Sequence, residues 1–392
     1  MRKPVVVILS LFFFLSTNFA CKKFDYKGWT MRIVKSEMTH NPELWTSDFV
    51  KKPSWNYAQA LEAKAFFQIF TFTADKKYFD YVHDFTNKLV NDSGEIISYE
   101  LSKHNIDNLN GGNILIDVYN ITKEDKYLKA IQQLRKQLDT QPRVSEGAFW
   151  HKSVYPHQVW LDGLYMGSPF YAKQAYTFHQ TSDFDDVVKQ FIVCDKYTLD
   201  PKTGLNFHGW DESRTQIWAN SQTGQSPNFW SRSIGWYVMA IVDVLDYLPE
   251  NHPQRPEMIK ILKRVCTSLL PYQDKKTGLW YQVTNFPNRK GNYLESTGTT
   301  MFIYAMAKGA NKGSLPKKFR KIAENSFRKF TKNCTIINED GTTTITRSCI
   351  VAGLGGSKNR DGSFEYYISE PTRNDDPKAI GPFILAGLEL SN

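Results

Sequence analysis

Six stretches of the chain are apolar nearly all round: "YAQALEAKAFFQIFTF", "GGNILIDVYNI", "GLYMGSPFYAKQAYTF", "GWYVMAIVDVLDYL", "TTMFIYAMAKG" and "GPFILAGLEL". That pattern predicts helices buried on every side. An internal repeat links them. An apolar helix runs into a Thr-containing turn with acidic residues, and a second helix then starts on an aromatic or aliphatic residue. The repeat reads "FQIFTFTADKKYFDYV", "LIDVYNITKEDKYLKAI" and "QAYTFHQTSDFDDVVKQF". Its turn threonines, Thr73, Thr122 and Thr181, lie roughly 50–60 residues apart, the period of stacked helical hairpins. Each turn offers a Thr or a nearby acid as N-cap of the next helix.

Gly turns bounded by short aromatic or β-branched runs follow these second helices: "NDSGEIISYE", "SEGAFWHKSVY", "DPKTGLNFHGW", "DKKTGLWYQVT" and "EDGTTTITRS". Each reads as a small β-hairpin or extended loop. The repeat is therefore outer helix, decorated loop, inner helix. Six inner helices with six partners predict an all-α fold, an (α/α)6 barrel. The last inner helix ends almost at the C-terminus, which suits a ring closing on its first. No Pro/Gly/Ser linker divides the chain, so a single domain is expected, with the loops before the inner helices converging on one end.

The N-terminus sets the limits of that domain. "MRKPVVVILSLFFFLSTNFACKK" has a basic start, an apolar run too short to span a membrane, and small and polar residues up to Ala20-Cys21. This is the pattern of a secretory signal peptide. Residues 1–20 are read as the leader and Cys21 as a lipidation site. Residues 21–29 are read as a tether and 30–392 as the domain. An exported protein, periplasmic or anchored to a bacterial membrane only through lipid on Cys21, is the expectation.

Composition sharpens the partner. Aromatic residues make up 14% of the 392, with 10 Trp, 20 Tyr and 26 Phe. This suits either core filling or a ring-binding cleft. The formal charge of +9 falls to +7 once Arg2 and Lys3 leave with the leader. A basic exported protein suits an acidic glycan. The lysines form no block and no nucleic-acid motif is present, so nucleic acid is not expected as a partner. Cys194, Cys266, Cys334 and Cys349 are scattered and predict buried thiols rather than a metal or disulfide framework.

The convergent loops carry the candidate chemistry. "SWNYAQ" brings Trp55 and Tyr57, and "SKHNIDNLNGG" brings His104 and Asp107. "FWHKSVYPHQVWLDGLYM" brings His151, His157, Trp160 and Asp162; "LNFHGWDES" brings His208, Trp210 and Asp211; "NFWSRSIGW" brings Trp230, Arg232 and Trp236. Asp162, just before an apolar helix, reads equally as a helix N-cap, and Asp107 as an Asx turn. Two carboxylates close together at one barrel mouth would instead raise one pKa into the general-acid range. His151 and His157 lack the i,i+4 spacing of a metal site, and neither a metal nor a cofactor is expected. Arg232 reads as a partner of an acid or as a planar clamp for a substrate carboxylate. "VAGLGGSKNRDGSFEYY" lacks the ending of a phosphate loop and reads as a long loop over the mouth, with no obvious helix after it.

At these residues the chain resembles the unsaturated rhamnogalacturonyl hydrolases of glycoside hydrolase family 105, related to the unsaturated glucuronyl hydrolases of family 88. The resemblance is carried by "FWHKSVYPHQVWLDGLYM", "FWSRSIGWYVMAIVDVLDYLP", "YLESTGTTMFIYAMAKG" and "AGLGGSKNRDGSFEYYISEP", followed by "NDDPKAIGPFILA". One departure is "SRSIGW", where many relatives carry Arg-Gly-Asn or Arg-Ala-Asn before Gly-Trp; Arg232 and Trp236 survive it. The resemblance implies the same (α/α)6 barrel and hydrolysis without metal or cofactor. The implied substrate is an anionic oligosaccharide ending in a 4,5-unsaturated uronic acid. It implies Asp162 as the acid that protonates C4 and then, as carboxylate, helps water add at C5; the neighbouring sugar, often rhamnose, is released. Asp107 is implied as the second acid. His151, His208 and Arg232 fall on substrate-contacting positions, with Tyr57, Trp160, Met166 and Trp236 shaping the pocket. Unsaturated glucuronyl fragments of ulvan or arabinogalactan are alternative substrates, and a non-catalytic glycan-capture lipoprotein is the alternative from another class.

Overall fold

The computed structural model describes residues 24–392. Numbered along the chain, the inner helices are α2 (Tyr57–Thr73), α4 (Gly112–Thr122), α6 (Leu161–Thr177), α8 (Ser231–Val244), α10 (Ser296–Asn311) and α13 (Pro377–Ser391). The outer helices are α1 (Tyr26–His40), α3 (Lys76–Leu89), α5 (Asp125–Thr140), α7 (Asp183–Thr198), α9 (Arg255–Leu269) and α11 (Lys318–Asn333). Consecutive inner helices pack side by side, and α13 returns to α2 to close the ring. The six apolar stretches are thus the inner wall of the expected (α/α)6 barrel; every residue of α8 is buried.

The outer helices bury one face only. In α3 that face is Tyr78, Tyr81, Val82, Phe85 and Leu89, at the i, i+3/i+4 spacing that lets the opposite side stay in water. Pro169 interrupts α6 and removes the hydrogen bond that the Tyr165 carbonyl would otherwise accept. The Asn110 amide donates to that carbonyl instead, at 3.4 Å, tying the loop before α4 to α6.

The structure corrects or refines four expectations. The expected tether is folded from its middle onward: Asp25 caps α1, Tyr26 is buried, and α1 packs on α13 as the sixth outer helix. The signal segment and Cys21 lie outside the described residues. The turn threonines do not cap the helices that follow. Thr73 and Thr122 close the preceding helices, and their hydroxyls accept from the amides of Asp75 and Glu124; Asp75 itself caps α3. Of the expected hairpins, Trp280–Tyr281 pairs with Leu294–Glu295 and Thr335–Ile337 with Thr343–Ile345; the first three are held by isolated bridges. Finally, the Gly-rich loop does lead into a helix, α12 (Phe364–Ser369), with Ser363 as its cap.

Two polar features are buried in the wall. Toward the C-terminal ends of the inner helices, Asp243 accepts from Lys308 Nζ and Tyr304 Oη, both at 2.7 Å, and also pairs with Lys64. Burial alone would raise its pKa; the two lysines outweigh burial and hold the carboxyl well below its usual range. Between α1 and α2, Glu37 and Glu62 are both buried. Burial pushes Glu37 up to about 7, and burial with the Glu37 charge holds Glu62 well above the ordinary carboxyl range. The native pair therefore keeps protons that the unfolded chain releases above its ordinary pKa of 4.5. Stability is then full below that value and falls as pH rises through about 7. Denaturant melts at about pH 5 and about pH 8 should show this loss in the parent and a flatter profile in Glu62→Gln. An unchanged slope in the variant would contradict proton retention by this pair.

Candidate active site

The mouth lies at the N-terminal ends of the inner helices. A two-stranded ribbon joins two of its loops: β1 (Gln158–Trp160) pairs antiparallel with β2 (Gly209–Asp211), with Trp160 opposite Gly209. This register places His208, the residue before β2, beside the start of α6, where the Leu161 amide donates to the His208 carbonyl at 3.0 Å. The His208 Nε2 consequently stands 3.0 Å from Asp162 Oδ2, although the two are not aligned as a formed hydrogen bond.

Asp162 is not a helix cap. Trp160 occupies the cap position of α6 without a side-chain cap bond, and Asp162 sits in the first turn. Its carboxylate is 14% exposed, while His208 behind it is wholly buried. The rings of Trp160 and Trp230 flank His208, with centroids at 5.5 and 5.0 Å. His208 thus serves Asp162 from inside the wall, rather than standing open at the mouth.

Asp107 sits in a 3-10 turn, Ile106–Leu109, before α4. Lys152 Nζ lies 2.5 Å from its Oδ2, and His151 Nε2 lies 3.6 Å from its Oδ1. Burial pushes Asp107 up, but the charges of Lys152 and His151 overcome it and leave the carboxyl below its usual range. Asp107 is therefore a standing anion. His151 is lowered to about 4, chiefly by burial, and is neutral at neutral pH. Its ring stacks on Trp160 at 4.4 Å, and its Nδ1 has no hydrogen-bond partner among the described residues.

Arg232, in the first turn of α8, is 1% exposed and lies over the Trp230 ring. Its Nη1 donates to the Cys349 carbonyl at 2.6 Å and its Nη2 to the Ile350 carbonyl at 3.2 Å. Among the described residues it pairs with no carboxylate. It is a buried cation held by neutral acceptors, with three of its five N–H donors left over.

The aromatic wall is built from three helices. Trp236 of α8 packs edge-on against Tyr57 of α2 (6.1 Å) and stacks on Tyr165 of α6 (4.8 Å). The Tyr57 phenol lies within the electrostatic reach of Arg232, Asp107 and Asp162, which links the two acids and the cation. Tyr57, Asp107, His151, Trp160, Asp162, His208, Arg232 and Trp236 thus form one connected cluster. Met166 differs: one turn beyond Asp162, it is 2% exposed and belongs to the core that backs the site.

His157 and His104 stay outside. His157 packs at a tilt against Trp150, and His104 faces Thr140 and Ser153. Sequence reasoning missed Lys152, Tyr165 and Tyr367, whose hydroxyl lies 2.7 Å from His208 Nδ1. Adjacency to His151 was the one signal available for Lys152. Among the described residues no three His, Cys, Asp or Glu side chains converge as metal ligands. None of their helices is long and apolar enough to cross a membrane.

Comparison with known proteins places the chain in a family. A structure of a glycoside hydrolase from family 105 of C. acetobutylicum superposes with a TM-score of 0.89 at 43% identity, covering 93% of this chain and 99% of the other. The unsaturated rhamnogalacturonyl hydrolase YesR of Bacillus subtilis is 25% identical over 257 residues, 64% of this chain and 68% of YesR. The unsaturated glucuronyl hydrolase of Bacillus sp. GL1 shares the fold, with a TM-score of 0.68 at 12% identity over 94% of this chain and 96% of its own. The Glycosyl Hydrolase Family 88 profile matches residues 29–392, and the chain belongs to that family.

Proposed function

We propose that the protein hydrolyses oligosaccharides that end in a 4,5-unsaturated uronic acid, with Asp162 as the proton donor. The carrying observation is the arrangement at Asp162. It is a partly exposed carboxylate free of any capping duty, backed by a buried imidazole, at a barrel mouth that also holds a buried cation without a carboxylate partner among the described residues.

The C4=C5 bond of such a uronate is a vinyl ether, so a proton delivered to C4 makes C5 electrophilic. Asp162 as the acid supplies that proton. The resulting carboxylate accepts a proton from water as the water oxygen bonds to C5. The hemiketal so formed opens and releases the neighbouring sugar. One carboxyl performs both proton transfers, so a second acid at glycosidase spacing is not required. Asp107, held ionised by Lys152, supplies a fixed negative field that favours the cationic character developing at C5. Arg232 offers its spare N–H donors to the uronate carboxylate. Trp160, His151 and Trp236 provide the faces and edges against which the sugar ring lies.

The family relatives named above support a rhamnogalacturonan-derived substrate, and fragments of ulvan or arabinogalactan fit the same chemistry. Unsaturated disaccharides from pectin, ulvan and glycosaminoglycan lyases distinguish them. Absorbance of the conjugated double bond should decay with one class at least. No decay with any class would favour glycan capture without turnover. We further propose export as a lipoprotein through Ala20-Cys21. Mass spectrometry of the mature N-terminus should find lipid on Cys21, and an unmodified Cys21 would refute the anchor.

A further inference from the structure

We propose that the Tyr367 hydroxyl is a positioning group that locks the His208 proton on Nε2, facing Asp162, and thereby sets how readily Asp162 gives up its proton. The inference rests on Asp162 being the acid, and it concerns a residue more than 150 positions away in the chain.

Tyr367 lies on α12, behind the loop over the mouth, and is wholly buried. Its position is fixed from two sides. The ring stacks on Trp230 at 6.1 Å, and its carbonyl accepts from Gln282 Nε2 at 3.1 Å. The same Gln282 accepts from Trp230 Nε1 at 3.0 Å, so ring and main chain are held by one bracket. The hydroxyl is thereby delivered to 2.7 Å from His208 Nδ1. On the other side of the imidazole, Nε2 stands 3.0 Å from Asp162 Oδ2. Tyr367, His208 and Asp162 form a chain that runs from the buried wall to the open mouth.

A neutral imidazole carries one proton, on Nδ1 or on Nε2. With the Asp162 proton carried on Oδ1, or with Asp162 ionised, a proton on His208 Nδ1 would leave the Nε2 lone pair facing the bare Asp162 Oδ2 at 3.0 Å, an electrostatic repulsion. With the proton on Nε2, Nδ1 needs a donor, and the Tyr367 O–H is the donor in place. Burial pushes the Tyr367 phenol well above its usual range; Tyr366, Asp162 and Asp361 add to the rise and Arg360 opposes it. The phenol therefore keeps the proton it donates. As Asp162 loses its proton to C4, negative charge grows on a carboxylate that already faces an N–H dipole. No proton leaves Tyr367 or His208 at any stage. They orient, and only Asp162 transfers.

The first test needs no substrate. Nitrogen NMR of the histidine-labelled protein, with His208 assigned by its loss in His208→Gln, should show the Nε2–H tautomer. The Nδ1–H tautomer would overturn the proposal. The second test is Tyr367→Phe, which keeps the stacking ring. It should lower kcat about 10- to 100-fold with KM changed less than about threefold. It should also move the alkaline limb of the pH profile to higher pH, because the carboxylate loses its oriented donor. In the His208→Gln background the same change should cost nothing more. A purely structural tyrosine would lower thermal stability without moving the limb, and an additive loss in the double variant would show action by another route. Either result overturns the proposal. Failure of the hydrolase reading is distinct: no unsaturated oligosaccharide would be turned over, whatever the tautomer.

Discussion

Asp162→Asn is expected to leave a folded protein that has lost most of its turnover, with kcat down by about a thousandfold or more. General acid–base groups contribute roughly a hundred- to ten-thousand-fold, and this residue is asked to act twice in one cycle. An amide can neither give a proton to C4 nor take one from water. The fold has little reason to suffer, because Asp162 accepts no cap bond from an α6 amide, and its nearest charged partner is the buried His208. A circular dichroism melt beside the kinetics separates the two effects. Activity within about tenfold of the parent would remove Asp162 from the chemistry. Asp107→Asn offers a contrast, since its carboxylate is tied to Lys152 and held ionised. Its loss should lower activity without abolishing proton transfer.

Arg232→Met is expected to reduce kcat/KM by roughly 30-fold to several thousandfold, from about 2–5 kcal/mol for a buried charged hydrogen-bond partner. The guanidinium is 1% exposed and pairs with no carboxylate among the described residues. Its desolvation is offset by two carbonyls, the Trp230 face and the more distant charges of Asp376 and Glu295, with no direct carboxylate partner among the described residues until an anion arrives. Arg232→Lys should restore little, because an ammonium cannot hold both carbonyls and a carboxylate in one plane. A substrate with its uronate converted to a neutral amide supplies the control. The parent should treat that analogue nearly as poorly as Arg232→Met does. If the variant discriminates between acid and amide as sharply as the parent, Arg232 does not read the carboxylate. Because the Cys349 and Ile350 carbonyls lose their donor, a fall in melting temperature should accompany the kinetic loss.

The parts of this molecule that sequence reasoning reaches are those set by local periodicity. The inner helices announce themselves because a helix surrounded by other helices has no face to leave polar, as α8 shows. Tyr57, Asp107, Asp162 and Arg232 were legible because each stands at or near the start of such a helix, in a loop that the barrel must bring to one end. What stayed hidden depends on contacts between distant segments or on the exact bend of a loop. Lys152 follows His151 on an extended run, where neighbours ordinarily point apart, yet both reach Asp107. Tyr165 reads as one more core aromatic until α8 brings Trp236 against it. Tyr367 meets His208 across the whole second half of the chain. The first turn of α1 falls in the stretch read as a tether because it lies so close to the leader, although Asp25 supplies the cap that begins it.

Hydration of the double bond, rather than displacement at the glycosidic carbon, is the centre of the proposed chemistry, and proton NMR in deuterium oxide reads it directly. With an unsaturated disaccharide that the protein turns over, the vinyl signal of H4 should disappear at the same rate as the neighbouring sugar is released. Deuterium should appear at C4 of the product. Release of the sugar while the vinyl signal persists, with no deuterium at C4, would contradict protonation at C4 and with it the role assigned to Asp162.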